Sequence, residues 1–158
     1  MATRPAVVTS AWRIARTRHP VYSADGARLV GGRWSSPGRP IIYAAEHYAT
    51  ALLEILVHAG RIHLPGAYHA ARIEIPAEVS VEYFDAAAFP GWEREGSDVA
   101  RDFGDEWAAR RRSAILAVPS VAAHPVERNL LINTEHPQFP LIRAGASFDV
   151  PWDARLFS

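Results

Sequence analysis

Residues Gly31 to Glu54 read GGRWSSPGRPIIYAAEHYATALLE, an order that predicts a turn, a strand and a helix in succession. Gly31-Gly32 allows close approaches or unusual turns, and Arg33 stands at the end of that turn. Pro37-Gly38 makes a second turn, and Pro40 to Ala44 reads as a strand in which Tyr43 ends the apolar run from Ile41. From Glu46 to Ala59, apolar residues at 49, 52, 53, 56 and 57 recur at helical spacing. His58 falls in the last turn of that helix and Gly60 suits the residue after it. An arginine holds a phosphate bidentately, a tyrosine offers a flat face and a hydroxyl, and a carboxylate at a buried edge stabilises positive charge. Together, Arg33, Tyr43 and Glu54 suit a nucleotide whose phosphate is clamped while a glycosidic bond breaks.

Outward from this unit the chain alternates strands and helices. Val7, Val8 and Ala11 to Ile14 predict an opening strand with Arg13 at its end or on its polar face. His19 to Gly32 is rich in turn formers and reads as a loop or hairpin. Residues 68 to 75 alternate as a half-buried strand that Pro76 closes, and Val79 to Phe84 suggests another. Asp85 to Asp98 reads as loop with one short helical turn. Asp98 to Arg112 reads as a helix, acidic early and basic late, the order favoured by the macrodipole. Ala114 to Val118 is an apolar strand stopped by Pro119, with Ser120 just beyond it. Asn129 to Asn133 gives a short element and Phe139 to Arg143 a late strand. Mixed strands and helices without a repeat or linker predict one α+β domain.

Composition narrows the function classes. The 158 residues carry 17 basic and 17 acidic side chains, a formal net charge of zero that weighs against general nucleic-acid binding. There is no cysteine, which excludes disulfides, thiol nucleophiles and cysteine-based zinc sites and fits a reducing cytoplasm. MATRPAVVTS at the start lacks the pattern of a signal peptide, and no apolar run approaches the roughly 18 residues of a membrane span. The expectation is a soluble cytoplasmic protein with no membrane contact. P-loop and G-x-G-x-x-G motifs are absent, so ATPase and Rossmann readings fail.

Four separated segments resemble the RES domain, the toxin half of RES–Xre toxin–antitoxin pairs. They are AWRIAR around Arg13, the GGRWSS to ALLE stretch, VPS at Val118 to Ser120, and ERNLLINTEHPQF from Glu127 to Phe139. The arginine, glutamate and serine for which that domain is named fall on Arg33, Glu54 and Ser120. The match spans a core of about residues 12–143 within a single domain over 1–158. The resemblance implies a fold similar to ADP-ribosyltransferases: small mixed or antiparallel sheets flanked by helices, with NAD⁺ in a cleft between them. It implies cleavage of the nicotinamide–ribose bond of NAD⁺ by hydrolysis or phosphorolysis, or alternatively ADP-ribosyl transfer to a protein. NAD⁺ is then substrate, with no tightly bound cofactor. A separately encoded Xre-like antitoxin is the implied partner.

The site residues carry bland readings beside these. Helical phase puts Glu54 beside the apolar stripe, in line with Thr50 and His58, where a bare glutamate reads as a solvated helix side chain. The resemblance moves it into the cleft, as stabiliser of the developing oxocarbenium ion. It makes Arg13 and Arg33 diphosphate ligands, against a plain strand arginine and a plain turn arginine. Tyr43 becomes a nicotinamide-side contact in place of a sheet-edge packing residue. Ser120 stands outside any G-x-S-x-G frame and reads as a positioning hydroxyl for the nicotinamide or its ribose. Asn129, Asn133 and His136 read first as loop organisers. His58, His63 and His69 match no metal-ligand spacing, so no metal is expected. The five tryptophans are scattered and read as packing or interface residues, exposed ones being compatible with a complex.

Overall fold

The computed structural model describes residues 7–59 and 66–157, so Gly60 and His63 lie outside the described residues. Strand β1 (Ser10–Arg16) is followed by helix α1 (Asp25–Val30), strand β2 (Ile41–Ala45) and helix α2 (Tyr48–Ala59). Strands β3 (Tyr68–Glu74) and β4 (Val81–Tyr83) lead to helix α3 (Asp98–Arg110). Strands β5 (Ile115–Pro119), β6 (Arg128–Asn133), β7 (Arg143–Ala144) and β8 (Phe148–Asp149) complete the α+β set.

The sheet order is β4-β5-β6-β2-β1-β3-β7, with β8 also pairing along β3. Strands β4 and β5 run parallel, joined by α3 as crossover, and the other pairs are antiparallel. Strand β1 runs along β3 from Ser10↔Glu74 to Arg16↔Tyr68, and β2 along β6 from Ile41↔Asn133 to Ala45↔Asn129. Between β1 and β2 the register narrows to Trp12↔Ala45. The sheet therefore consists of two smaller sheets, β4-β5-β6-β2 and β1-β3-β7/β8, joined at one point. These are the small mixed and antiparallel sheets that the resemblance implies.

Alternation along the strands sorts the core. Ile41, Leu116, Val118 and Leu131 meet α3 through Trp34, Trp92, Trp107 and Ala100. Their neighbours Ile42, Ile115, Ala117, Leu130 and Ile132 form a second cluster with Ala11, Ile73 and Ile75. Ala51 on α2 packs with Ile14, Ala45, Tyr68 and Ala70 in a third. Helices α2 and α3 thus cover different stretches of the sheet, and the seam between β1 and β2 opens beside α2.

Three expectations change. The loop or hairpin over His19 to Gly32 contains helix α1, which buries no residue of its own and stops where Gly31 takes φ 74°. Turn formers at both its ends, Asp25-Gly26 and Gly31-Gly32, masked a helix of barely two turns. The late strand over Phe139 to Arg143 is a 3₁₀ turn at Phe139–Leu141 followed by the two-residue β7. Pro140 sits in that turn, and without an N–H it would leave a gap in a ladder. The packing reading of the tryptophans holds, none being exposed: Trp34, Trp92 and Trp107 are buried and Trp12 and Trp152 partly so. Helix α3 also stops at Arg110, two residues early, because Arg111 takes the left-handed φ of 49° and turns its N–H back onto the Ala108 and Trp107 carbonyls.

Candidate active site

Where β1 and β2 part, a cavity of about 420 Å³ opens between α1, the turn from Gly31 to Trp34, the end of α2 and the chain after β5. Arg13, Arg33, Tyr43, Glu54, His58 and Asn129 all line it. A smaller cavity of about 130 Å³ shares Arg13, Tyr43, Glu54, His58 and Asn129 and runs beneath α2. The larger volume falls in the roughly 300–1,000 Å³ range of small-molecule sites.

Glu54 projects from α2, partly buried. Its Oε1 accepts from the Ser120 hydroxyl at 2.6 Å and from Asn129 Nδ2 at 3.0 Å. Its Oε2 accepts no hydrogen bond among the described residues and lies 3.9 Å from His58 Nε2. Strand β5 ends at Pro119, which places Ser120 fully buried at the strand tip, its own N–H held by the Glu127 carbonyl at 2.9 Å. Asn129 is placed by pairing with Ala45 on one side and Val118 on the other.

Arg13 reaches across the seam. Its Nη1 donates to the Tyr43 carbonyl at 2.9 Å and its Nε to the Val21 carbonyl at 3.3 Å. No carboxylate pairs with it among the described residues, and burial presses its pKa below the usual arginine value. Arg33 is likewise without a carboxylate partner; its Nη1 donates to the carbonyls of Trp92 at 3.2 Å and Arg94 at 2.6 Å. Unpaired guanidinium groups facing one cavity are a site for an anion, since a partly desolvated cation gains most from an opposite charge.

Tyr43 is held from its far end. Its hydroxyl shares a 2.7 Å hydrogen bond with Ser35 Oγ and accepts from the Trp34 N–H at 3.2 Å. Burial pushes the phenol up to about 12, with those hydrogen bonds opposing and Asp105 adding to the rise. Tyr43 is therefore favoured in its neutral form. Gly32 presses against it: a Cβ there would lie 2.6 Å from the Tyr43 hydroxyl oxygen.

All five residues singled out in the sequence thus gather at one place: Arg13, Arg33, Tyr43 and Glu54 on the cavity wall, Ser120 behind Glu54. Asn129 was read as a loop organiser and instead lines the cavity and bonds Glu54. Its signal lay only in the segment ERNLLIN. Asn133 and His136 do organise the chain locally, Asn133 by accepting from the Glu135 N–H and donating to the Ala108 carbonyl, His136 by accepting from the Gln138 N–H. No group of three or more potential metal ligands occurs among the described residues.

Residues 10–153 match the family model described as RES domain. The chain is 43% identical over 147 residues to the Prs ADP-ribosylating toxin of Sphingobium sp. (strain YBL2), covering 87% of this chain and 90% of that protein. It is 35% identical over 126 residues to Toxin Res of Photorhabdus laumondii subsp. laumondii, covering 77% and 80% respectively. Among solved structures, the crystal structure of the M. tuberculosis MbcT–MbcA toxin–antitoxin complex matches with a TM-score of 0.71 over 94% of this chain and 86% of that one. At 20% identity that likeness speaks for the fold alone.

Proposed function

The chain belongs to the RES domain family, and on that premise we propose that it is the toxin of a toxin–antitoxin pair that cleaves the nicotinamide–ribose bond of NAD⁺. The reading rests on one observation: two arginines without carboxylate partners and one carboxylate with an open oxygen face the same cavity. The arginines suit a diphosphate and the carboxylate suits the carbon that becomes cationic as nicotinamide leaves. Nicotinamide departs as a neutral pyridine taking the bonding electron pair, so no acid is required to protonate it. The ribose C1′ develops oxocarbenium character, and Glu54 stabilises it, directly or through the ribose hydroxyls. Arg13 and Arg33 clamp the diphosphate, and Tyr43 packs on the nicotinamide side. Water or phosphate then takes up the ADP-ribose.

Transfer of ADP-ribose to a protein is the second reading, favoured by the similarity to the Sphingobium ADP-ribosylating toxin. Both readings share the first step. The partner proposed for the chain is an Xre-like antitoxin that covers the cavity.

The test is incubation with NAD⁺, with and without phosphate, following nicotinamide and ADP-ribose by chromatography. Wild type is expected to release nicotinamide and Glu54→Gln to release none while keeping its fold. A product bearing an extra phosphate identifies phosphorolysis, and label retained on protein identifies transfer. Equal turnover by Glu54→Gln would remove Glu54 from the reaction.

A further inference from the structure

Glu54 has two oxygens in unequal surroundings. Oε1 accepts both donors, Ser120 at 2.6 Å and Asn129 at 3.0 Å, whereas Oε2 accepts none among the described residues and looks toward His58 and the cavity. Ser120 itself is fully buried and is absent from the wall of either cavity. Its hydroxyl reaches the site only through Glu54.

Asn129 shows what this arrangement demands. Its Oδ1 is buried without a hydrogen-bond partner. Turning the amide over would set that oxygen against Glu54 Oε1, acceptor against acceptor, and lose the Nδ2 donation. The fold thus tolerates an unsatisfied buried acceptor in order to keep a donor on the carboxylate. Stability alone would favour an apolar side chain of similar size, because buried polar atoms in folded proteins are nearly always paired. Unsatisfied groups retained in this way gather where function needs them.

The geometry points to Ser120 and Asn129 as a positioning pair that fixes Oε1 of Glu54 and leaves Oε2 as the one oxygen presented to the sugar. Both donors sit on rigid parts of the fold, Ser120 at the tip of β5 and Asn129 within β6 between two neighbouring strands. Each is more than 60 residues from Glu54 in sequence, so the sheet itself aims the carboxylate. Both are positioning residues, because neither needs to touch substrate for the effect. This assignment rests on the cleavage reading above.

The test separates positioning from packing. Asn129→Leu removes the donor and the orphaned acceptor together while keeping side-chain bulk. It is expected to lower kcat on the order of 10²-fold, as small misplacements of catalytic groups do, with KM within about 3-fold of wild type. Its Tm is expected to equal or exceed that of wild type. Ser120→Ala should lose kcat in the same way, and Ser120→Thr, which keeps the hydroxyl, should restore most of it. A raised KM at unchanged kcat would overturn the pair in favour of substrate contact, and a fall in Tm together with kcat would reduce it to packing. If wild type releases no nicotinamide, the cleavage reading fails separately. The ¹³C resonance of the labelled Glu54 carboxylate then decides the clamp: it moves in both Asn129→Leu and Ser120→Ala if Oε1 holds both donors, and an unmoved resonance overturns it.

Discussion

Arg13 and Tyr43 meet at the seam, and burial changes each in a measurable way. Arg13 spends two of its N–H groups on backbone carbonyls and has no further hydrogen-bond partner among the described residues. Hydrogen bonds to charged groups are worth about 1.5–3 kcal/mol, so Arg13→Gln is expected to raise the KM for NAD⁺ roughly tenfold to a hundredfold. An unchanged KM in steady-state assays would remove Arg13 from the diphosphate site. Burial pushes the Tyr43 phenol up to about 12 from an ordinary 10.0. Between those values the unfolded chain gives up its proton first, so the native state binds more protons and stability falls as pH rises. Tyr43→Phe should flatten that fall in urea unfolding measured from pH 9 to 11, while Tyr22, also raised to about 12, leaves a residual slope. The same variant strands the buried Ser35 hydroxyl, a loss of about 1–3 kcal/mol at neutral pH. Helical phase put Glu54 beside the apolar stripe and Pro119 put Ser120 at a strand end, but it was the resemblance to the RES domain that brought both into the site. The bond between Glu54 and Asn129 was not legible in the sequence, since only the pairing of β6 with β2 and β5 brings together residues 75 apart.

Helix α3 shows which elements announce themselves and which do not. Acidic residues precede basic ones along it, which made it readable, and in the fold Ser97 caps it, accepting from the Ala100 N–H at 3.2 Å. Strand β5, a run of apolar residues before a proline, was readable for similar reasons. Helix α1 and the turn at Phe139–Leu141 were not, because both are short, lack a buried face of their own and are held by neighbours. Gly104 carries a further message that propensity would hide. Alanine is the better helix former by about 1 kcal/mol, yet a Cβ at 104 would lie 1.7 Å from the Trp34 carbonyl oxygen. Backbone has no room to yield there without shifting α3 or the turn that bears Arg33. Gly104→Ala is therefore expected to destabilise by about 1–3 kcal/mol or more, read by thermal unfolding. A gain in Tm would show that α3 is free to move away from Trp34.

The molecule as a whole is built around an interrupted sheet. A continuous antiparallel pair between β1 and β2 would have closed the seam with backbone hydrogen bonds and left no room for Arg13 to cross. Instead the ladder holds at Trp12↔Ala45, and a side-chain bond from Arg13 to the Tyr43 carbonyl spans the gap. Zero net charge gives the surface no overall pull on an anion, so a phosphate-bearing ligand would depend on local cations such as Arg13 and Arg33. A ligand lying between them would touch both smaller sheets, adding contacts where the backbone supplies few. Segments with few backbone hydrogen bonds to neighbours open more easily than the rest of a fold. Amides of β1 and β2 that face the seam are therefore expected to exchange faster than those of β5 and β6. Added ADP-ribose, the product the proposed reaction would leave in the cavity, should slow exchange in β1 and β2 more than in β5 and β6. Hydrogen exchange followed by mass spectrometry on peptides from each strand gives both rates in one experiment. Equal slowing across all four strands would mean that the ligand stabilises the fold globally, and no slowing at the seam would place it elsewhere.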